Sequence, residues 1–207
     1  MRLVRDDGTG TRVGQIVEVE AYGGPDDLAS HARFGVTPRN KVMFGPAGIA
    51  YVYLVYGMYD CLNVVTGLDG VASAVLIRAV YPLAGQDLMR GDRWAHRSRR
   101  RKAGQATATA TTVAPARARF NAIPDERLAS GPGLVAAAFG VDTTWTGLDL
   151  CASDSPLRLE PPAAGDPSVG DVVATRRIGV DYAGATWSAR PWRFAVAGHP
   201  SVSHQPR

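Results

Sequence analysis

Three stretches of β-type patterning fall within the first 80 residues, each closed by turn residues rather than by a helix, and this spacing most constrains the fold. Ile16 to Tyr22 (IVEVEAY) alternates, with Val17, Val19 and Ala21 toward one face and Ile16, Glu18, Glu20 and Tyr22 toward the other. Gly23, Gly24, Pro25 and two aspartates break it, and the chain to Asn40 reads as irregular or short helix. From Ile49, IAYVYLV is rich in β-branched and aromatic residues, YGMYD around Gly57 reads as a turn, and CLNVVT returns, so a β-hairpin with an aromatic tip is predicted. ASAVLIRAV follows the Asp69-Gly70 turn signal and is expected to stop at Pro82. There is no alternation of strand and helix and no long repeat, which leaves an α+β class built on an antiparallel sheet.

Past Leu88 the pattern changes. Residues 90–127 combine an arginine run, an Ala/Thr tract (QATATATTVAPARA) and little hydrophobic periodicity, and are expected to form a mobile excursion rather than part of the core. Ser130 can cap a short helix with Pro132 in its first turn, running from Leu134 to Phe139 and stopped by Gly140. Strands and turns are predicted again from Val169 to Val202.

The 207 residues are 45% hydrophobic and 20% charged, enough for one or two domains with a true core. Cys61 and Cys151 are too few and too distant for a disulfide framework, and both read as buried small residues in a reducing compartment. The longest apolar runs, such as residues 71–80, reach half of the roughly 20 residues that a membrane helix needs, and no signal-peptide pattern opens the chain. A soluble, cytoplasmic protein without membrane contact is expected. Formal net charge is +4, yet seven basic residues against Asp92 fall between Arg90 and Lys102, so the rest of the chain is slightly acidic. Such a cluster suits attraction to a polyanion or is simply a solvated charged loop.

Walker A, dinucleotide, serine-hydrolase and zinc-protease signatures are all missing, as is the His-x-Glu with Cys-x-x-Cys of a zinc deaminase. His31, His96, His199 and His204 do not cluster in sequence, and no metal or other cofactor is expected. Glu18 and Glu20 share one strand face about 6.8 Å apart at the usual rise. Two carboxylates at that separation could serve an inverting glycosidic hydrolysis, although an anonymous Glu-x-Glu is more often a wet face. Arg78, inside an otherwise apolar strand, needs a carboxylate or an anionic ligand. Asn63 is similarly placed in the hairpin. Tyr51, Tyr53, Tyr56, Tyr59 and Met58 crowd nine residues. Tyr51 and Tyr53 fit a core, while Tyr56 near the turn is harder to bury and could stack on or wedge between bases.

The segment Gly14 to Gly70, followed in order by ASAVLIRAVYPLAG, SGPGLVAAAFG, RRIGVDYAG and RPWRFAVAGHPSVS, resembles the alkyladenine (3-methyladenine) DNA glycosylase family in its bacterial form, over most of the chain. The resemblance implies one compact α+β domain over residues 1–207 on a curved antiparallel sheet with a protruding hairpin and a few short helices. It implies Glu20 as the base that activates water and Arg78 as the residue that holds Glu20 and that water. Tyr22, His31 and Tyr53 would stack and hydrogen-bond a flipped base, with Asn63 rejecting guanine, and Tyr56 beside Met58 would fill the gap left in the duplex. The implied partner is double-stranded DNA containing damaged purines, acted on at the nucleoid by a monomer. A cationic purine favours an aromatic cage. Lys41 and Lys102 are the only lysines, which favours a monofunctional water mechanism over a Schiff-base lyase. Arg97, Arg99, Arg100, Arg101 and Lys102 would add nonspecific DNA affinity. The alternative reading is a non-catalytic nucleic-acid-binding module of the same fold.

Overall fold

The three β patterns become neighbouring strands of one antiparallel sheet, seen in a computed structural model that describes residues 1–102 and 110–205. The described strands are β1 (Arg2–Asp6), β2 (Thr11–Gly23), β3 (Ala50–Val55), β4 (Tyr59–Val65), β5 (Ser73–Ala84), β6 (Leu157–Glu160), β7 (Val172–Thr175) and β8 (Arg193–Val196). They run in the order β3-β4-β5-β2-β1-β6, and β8 pairs with both β2 and β7. Strand β2 therefore forks the sheet. Residues 11–15 pair with β1 and residues 18–20 with β8, while β5 follows the opposite edge. The β2–β5 ladder skips Val17 and then Arg78, so two irregularities fall within three residues of Glu18. Bulges of this kind bend and twist a strand, and the sheet curls into an antiparallel half-barrel.

The faces of this sheet have separate tasks. Leu3, Val52, Leu62, Ile77 and Val80 point into the main apolar core, where Val135, Ala138 and Phe139 of a short helix cover them. Tyr51, Val65 and Ala74 point the other way, beneath two short 3-10 turns at His31–Phe34 and Lys41–Phe44 that contribute Ala32 and Met43. Strand β5 does not stop at Pro82. It runs on to Ala84, and Pro82 lies opposite Gly14 next to a register shift, where the missing donor is tolerated.

The segment 90–127 departs from expectation. Helix α1 (Gln86–Lys102) occupies the arginine run and α2 (Ala110–Asn121) the end of the Ala/Thr tract, whose residues 103–109 lie outside those described. Periodicity misses α1 because an apolar stripe is not what holds it. Among its described side chains Met89 alone is fully buried, and guanidinium groups add fixed bonds: Arg90 donates to the Ile123 carbonyl at 2.6 Å and Arg93 to the Leu128 carbonyl at 2.9 Å. Phe120 of α2 packs its ring 5.3 Å from that of Trp94. The next helix, α3 (Pro132–Ala138), begins one residue later than the capping signal suggests. Gly131 is its N-cap, while Ser130 forms an isolated bridge to Ala79. A five-residue helix, α4 (Gly184–Ser188), precedes β8. Cys61 is buried as expected, but Cys151 is exposed. Among the described residues, no helix is long and apolar enough to cross a membrane.

Gly85 joins β5 to α1 with φ at 79°, and a Cβ there would meet the Thr11 carbonyl oxygen at 2.3 Å. Gly85→Ala is expected to cost about 1–3 kcal/mol through this overlap with backbone. Urea unfolding should show a lower midpoint at an unchanged m-value.

Candidate active site

One row of side chains crosses the sheet on the face away from the main core. The register pairs Tyr51 with Asn63, Asn63 with Leu76, Leu76 with Glu20, and Glu20 with Arg193. Residues directly opposite on adjacent strands share a face, so one tyrosine, one amide and one carboxylate converge with no loop rearrangement. Above the row lies a cavity of about 370 Å³, at the small end of the range for small-molecule sites and suited to one flat heterocycle. Tyr22, His31, Tyr51, Tyr53, Asn63 and Arg78 line it, with Tyr56 at its rim. Tyr51, which by its pattern alone fits a core, is thus part of the cavity wall.

Neither carboxylate is wet. Glu18 is 1% and Glu20 0% exposed. Glu20 does not itself line the cavity but lies directly beneath two side chains that do: the Tyr22 hydroxyl donates to its Oε2 at 2.8 Å, and Arg78 Nη1 lies 3.2 Å from the same oxygen. Its Oε1 accepts the Ile178 backbone N–H at 2.7 Å. Glu18 is turned to the same guanidinium from the other side, accepting from Arg78 Nε at 3.2 Å. Arg78 thus has the carboxylate partners that its burial demands.

Ile178 is a site residue that sequence reasoning misses. It is held there because Arg177 forms a forked pair with Asp27, at 2.6 and 2.9 Å, with both side chains fully buried. The Arg177 guanidinium also lies 4.8 Å from the Tyr22 ring centroid and 5.1 Å from that of Trp192. A visible cue is the Arg-Ile-Gly run itself, since an arginine followed by apolar and turn residues needs a buried acid if it folds inward.

Apart from Arg78, which is paired with the two buried acids, the polar side chains of the cavity wall carry no charge. Burial, reinforced by Arg39 and Arg33, holds the His31 imidazole down at about 4, so it is uncharged at neutral pH. Burial pushes the Tyr51 hydroxyl up to about 12 and raises Tyr53 further. Tyr22 is raised by burial and then by the neighbouring Glu20 charge, which keeps it a donor. His31 Nδ1 is 2.9 Å from the Tyr51 hydroxyl, and its ring stands edge-on to Tyr53 at 4.4 Å. Asn63 is fixed by Nδ2 donating to the Tyr51 and Cys61 carbonyls at 3.0 and 3.1 Å.

The hairpin tip rises at the rim. Tyr56 is 86% exposed and has φ at 52°, the one non-glycine residue with positive φ among those described. With Gly57 at φ 66° and Met58 N–H donating to the Val55 carbonyl at 2.9 Å, the turn has the primed geometry that closes hairpins. A tyrosine there carries backbone strain that a glycine would not. Met58 is also exposed. On α1, Arg97 and Arg99 are exposed, whereas the side chains of Arg100, Arg101 and Lys102 lie outside those described. Among the described residues, no group of three or more His, Cys, Asp or Glu side chains is placed to hold a metal ion.

The half-barrel thus carries an aromatic cavity over an arginine-held buried glutamate, with an exposed tyrosine at its tip, and comparison with known proteins gives the family. Residues 1–200 match the family model described as Methylpurine-DNA glycosylase, and the chain belongs to that family. It is 42% identical over 99% of its length to a protein of Anaeromyxobacter sp. strain Fw109-5, covering 82% of that relative. It is also 42% identical to a Methanocella arvoryzae protein, covering 97% of this chain and 84% of the other. A Myxococcus xanthus protein is 40% identical, with 99% and 84% covered. All three carry the provisional name of 3-methyladenine DNA glycosylase.

Two outcomes follow for stability. Asp27→Asn leaves Arg177 buried without its counter-charge and should cost about 3–5 kcal/mol in chemical unfolding. Tyr56→Gly relieves the strained turn and should leave the unfolding midpoint unchanged or raise stability by up to about 1 kcal/mol, because the exposed ring has little burial to lose.

Proposed function

We propose that the protein extrudes alkylated or deaminated purines, such as 3-methyladenine, 7-methylguanine, hypoxanthine and ethenoadenine, from duplex DNA and hydrolyses the N-glycosidic bond with a Glu20-activated water. The observation that carries this reading is the Glu20 carboxylate, held by Ile178, Tyr22 and Arg78 directly beneath an aromatic cavity of one-heterocycle size. A base cannot be reached inside the stack, so it is extruded at a cost of a few kcal/mol. The exposed Tyr56 offsets that cost by filling the vacated space, with Met58 beside it.

In the cavity, Tyr22, His31 and Tyr53 offer rings without net charge to an alkylated purine, whose own positive charge is attracted to their faces. Asn63 meets the edge of the base and rejects the amino group of normal guanine. Its amide is fixed by backbone carbonyls, so it cannot swing away. Departure of the base leaves an oxocarbenium-like sugar. The Glu20 carboxylate stabilises that charge and takes a proton from the attacking water, while Arg78 and Tyr22 hold it in place. No amine lines the cavity among the described residues, in keeping with water rather than a lysine as nucleophile.

DNA is gripped, in this reading, along the hairpin side. Asp60, close to the tip, is raised by burial and by Asp142 and lowered by the charge of Arg99, which supports a side shared by Arg99 and the hairpin. Arg97 to Lys102 then bind phosphates without reading sequence. The protein is taken to be a monomer of one domain, working in the cytoplasm at the nucleoid.

The test is a duplex carrying one hypoxanthine or 1,N6-ethenoadenine, followed by alkaline cleavage at abasic sites. Wild type should release the base, whereas Glu20→Gln should bind the lesion duplex but release it about 10²–10⁴-fold more slowly. Binding without any wild-type cleavage would leave a mere DNA-binding module. Replacing Arg97, Arg99, Arg100, Arg101 and Lys102 with glutamine should reduce the log–log salt slope of DNA binding by about 0.9 for each phosphate that is no longer neutralised. An unchanged slope would remove α1 from the interface.

A further inference from the structure

Arg78 divides its guanidinium between two acids, with Nη1 3.2 Å from Glu20 Oε2 and Nε donating to Glu18 Oε1 at 3.2 Å. Glu18 does not face the cavity. Its carboxylate is fully buried and also accepts from Arg193 Nε at 2.7 Å, Ser203 N–H at 2.7 Å and the Ser203 hydroxyl at 2.9 Å. Arg193 in turn donates to Thr175 Oγ1 at 3.0 Å and to the His204 carbonyl. A continuous chain of polar contacts therefore runs from residues 203–204 through Glu18 and Arg78 to Glu20.

Geometry gives Glu18 its importance. An arginine left alone with a carboxylate turns its fork to it and binds both oxygens. Here Glu18 occupies Nε and Glu20 is approached by Nη1, an ion-pair contact at 3.2 Å, so the lone pairs of Glu20 are not all consumed by one partner. The charges also balance: Glu18 and Glu20 against Arg78 and Arg193. Other groups face these acids too. Beside Glu20 are the Tyr22 hydroxyl and the more distant Arg177, and beside Ser203 is the His204 ring, whose Nδ1 is 3.3 Å from the hydroxyl.

We propose that Glu18, fastened by Ser203 and Arg193, is a positioning residue for base excision, aiming Arg78 at Glu20 through one close ion-pair contact and offsetting its charge so that Glu20 stays a competent base. This inference rests on the reading of Glu20 as the base that activates water. Glu18→Gln keeps the shape but leaves one uncompensated positive charge beside Glu20, which weakens it as a base. Glu18→Asp keeps the charge and shortens the reach.

Single-turnover excision of hypoxanthine from a duplex, at saturating enzyme and across pH, separates the possibilities, because the rate constant of folded enzyme does not depend on how much has folded. Glu18→Gln should lower the plateau rate constant about tenfold and move the acid limb to lower pH, with duplex affinity within about twofold of wild type. Glu18→Asp should lower the rate constant with the acid limb unmoved, and it remains informative if the glutamine variant does not fold. Wild-type rate constants and an unmoved limb in the folded variants would overturn the proposal while an inactive Glu20→Gln left the Glu20 reading standing. An active Glu20→Gln would instead remove that reading itself.

Discussion

Everything in the site depends on how two carboxylates are kept inside the protein. Glu18 and Glu20 are essentially inaccessible, and an isolated buried carboxylate would protonate rather than remain charged. Burial alone would raise Glu18. It is nonetheless driven below the usual glutamate range by the Ser203 N–H, Arg193 and the Ser203 hydroxyl, with Arg78 adding to them. A group lowered in this way stabilises the fold above its unfolded pKa, and that contribution disappears as pH falls through its folded pKa. The β2–β5 ladder explains how both acids reach one arginine. Skipping Val17 and Arg78 rotates the strands locally, so that a residue of β5 can address two residues of β2.

The cavity above solves a complementary problem. Its lining includes groups that could ionise, yet His31 is held neutral by burial and two nearby arginines, and the tyrosines are held protonated. The nearest carboxylate, Glu20, lies one layer below, behind Tyr22 and Arg78. Under the proposed function, such a wall sorts a flat ligand by shape, by ring faces and by the fixed amide of Asn63, and the carboxylate is left for the moment when positive charge develops on the sugar.

Much of this is legible in the chain because it is local. Alternation in IVEVEAY places Glu20 and Tyr22 together, and the turn residues around Gly57 locate an exposed Tyr56. Arg78 announces a buried acid by its apolar surroundings. Whatever depends on distant partners stays hidden. Glu18 looks like half of a wet pair because Ser203 and Arg193, which bury it, come 175 residues or more later. Ile178 carries no chemical signal, since its contribution is a backbone N–H. Helix α1 escapes for a different reason: periodicity detects an apolar stripe, and α1 is fastened mainly by polar bonds from Arg90 and Arg93 to carbonyls.

The same use of arginine extends across the molecule. Twenty-three residues are basic and only Lys41 and Lys102 are lysines. Arginine is used where loops must be tied down: Arg177 to Ala21 and Trp187, Arg193 to His204, Arg5 to Phe139, and Arg127 to Pro200. Each bond satisfies a backbone carbonyl, and several of these guanidiniums hold an acid at the same time, which a lysine ammonium cannot do with a planar fork. The arginine excess that suggests a nucleic-acid partner is therefore in large part architecture. Of the arginine run on α1, Arg97 and Arg99 are exposed, beside a body whose remaining charge is slightly negative.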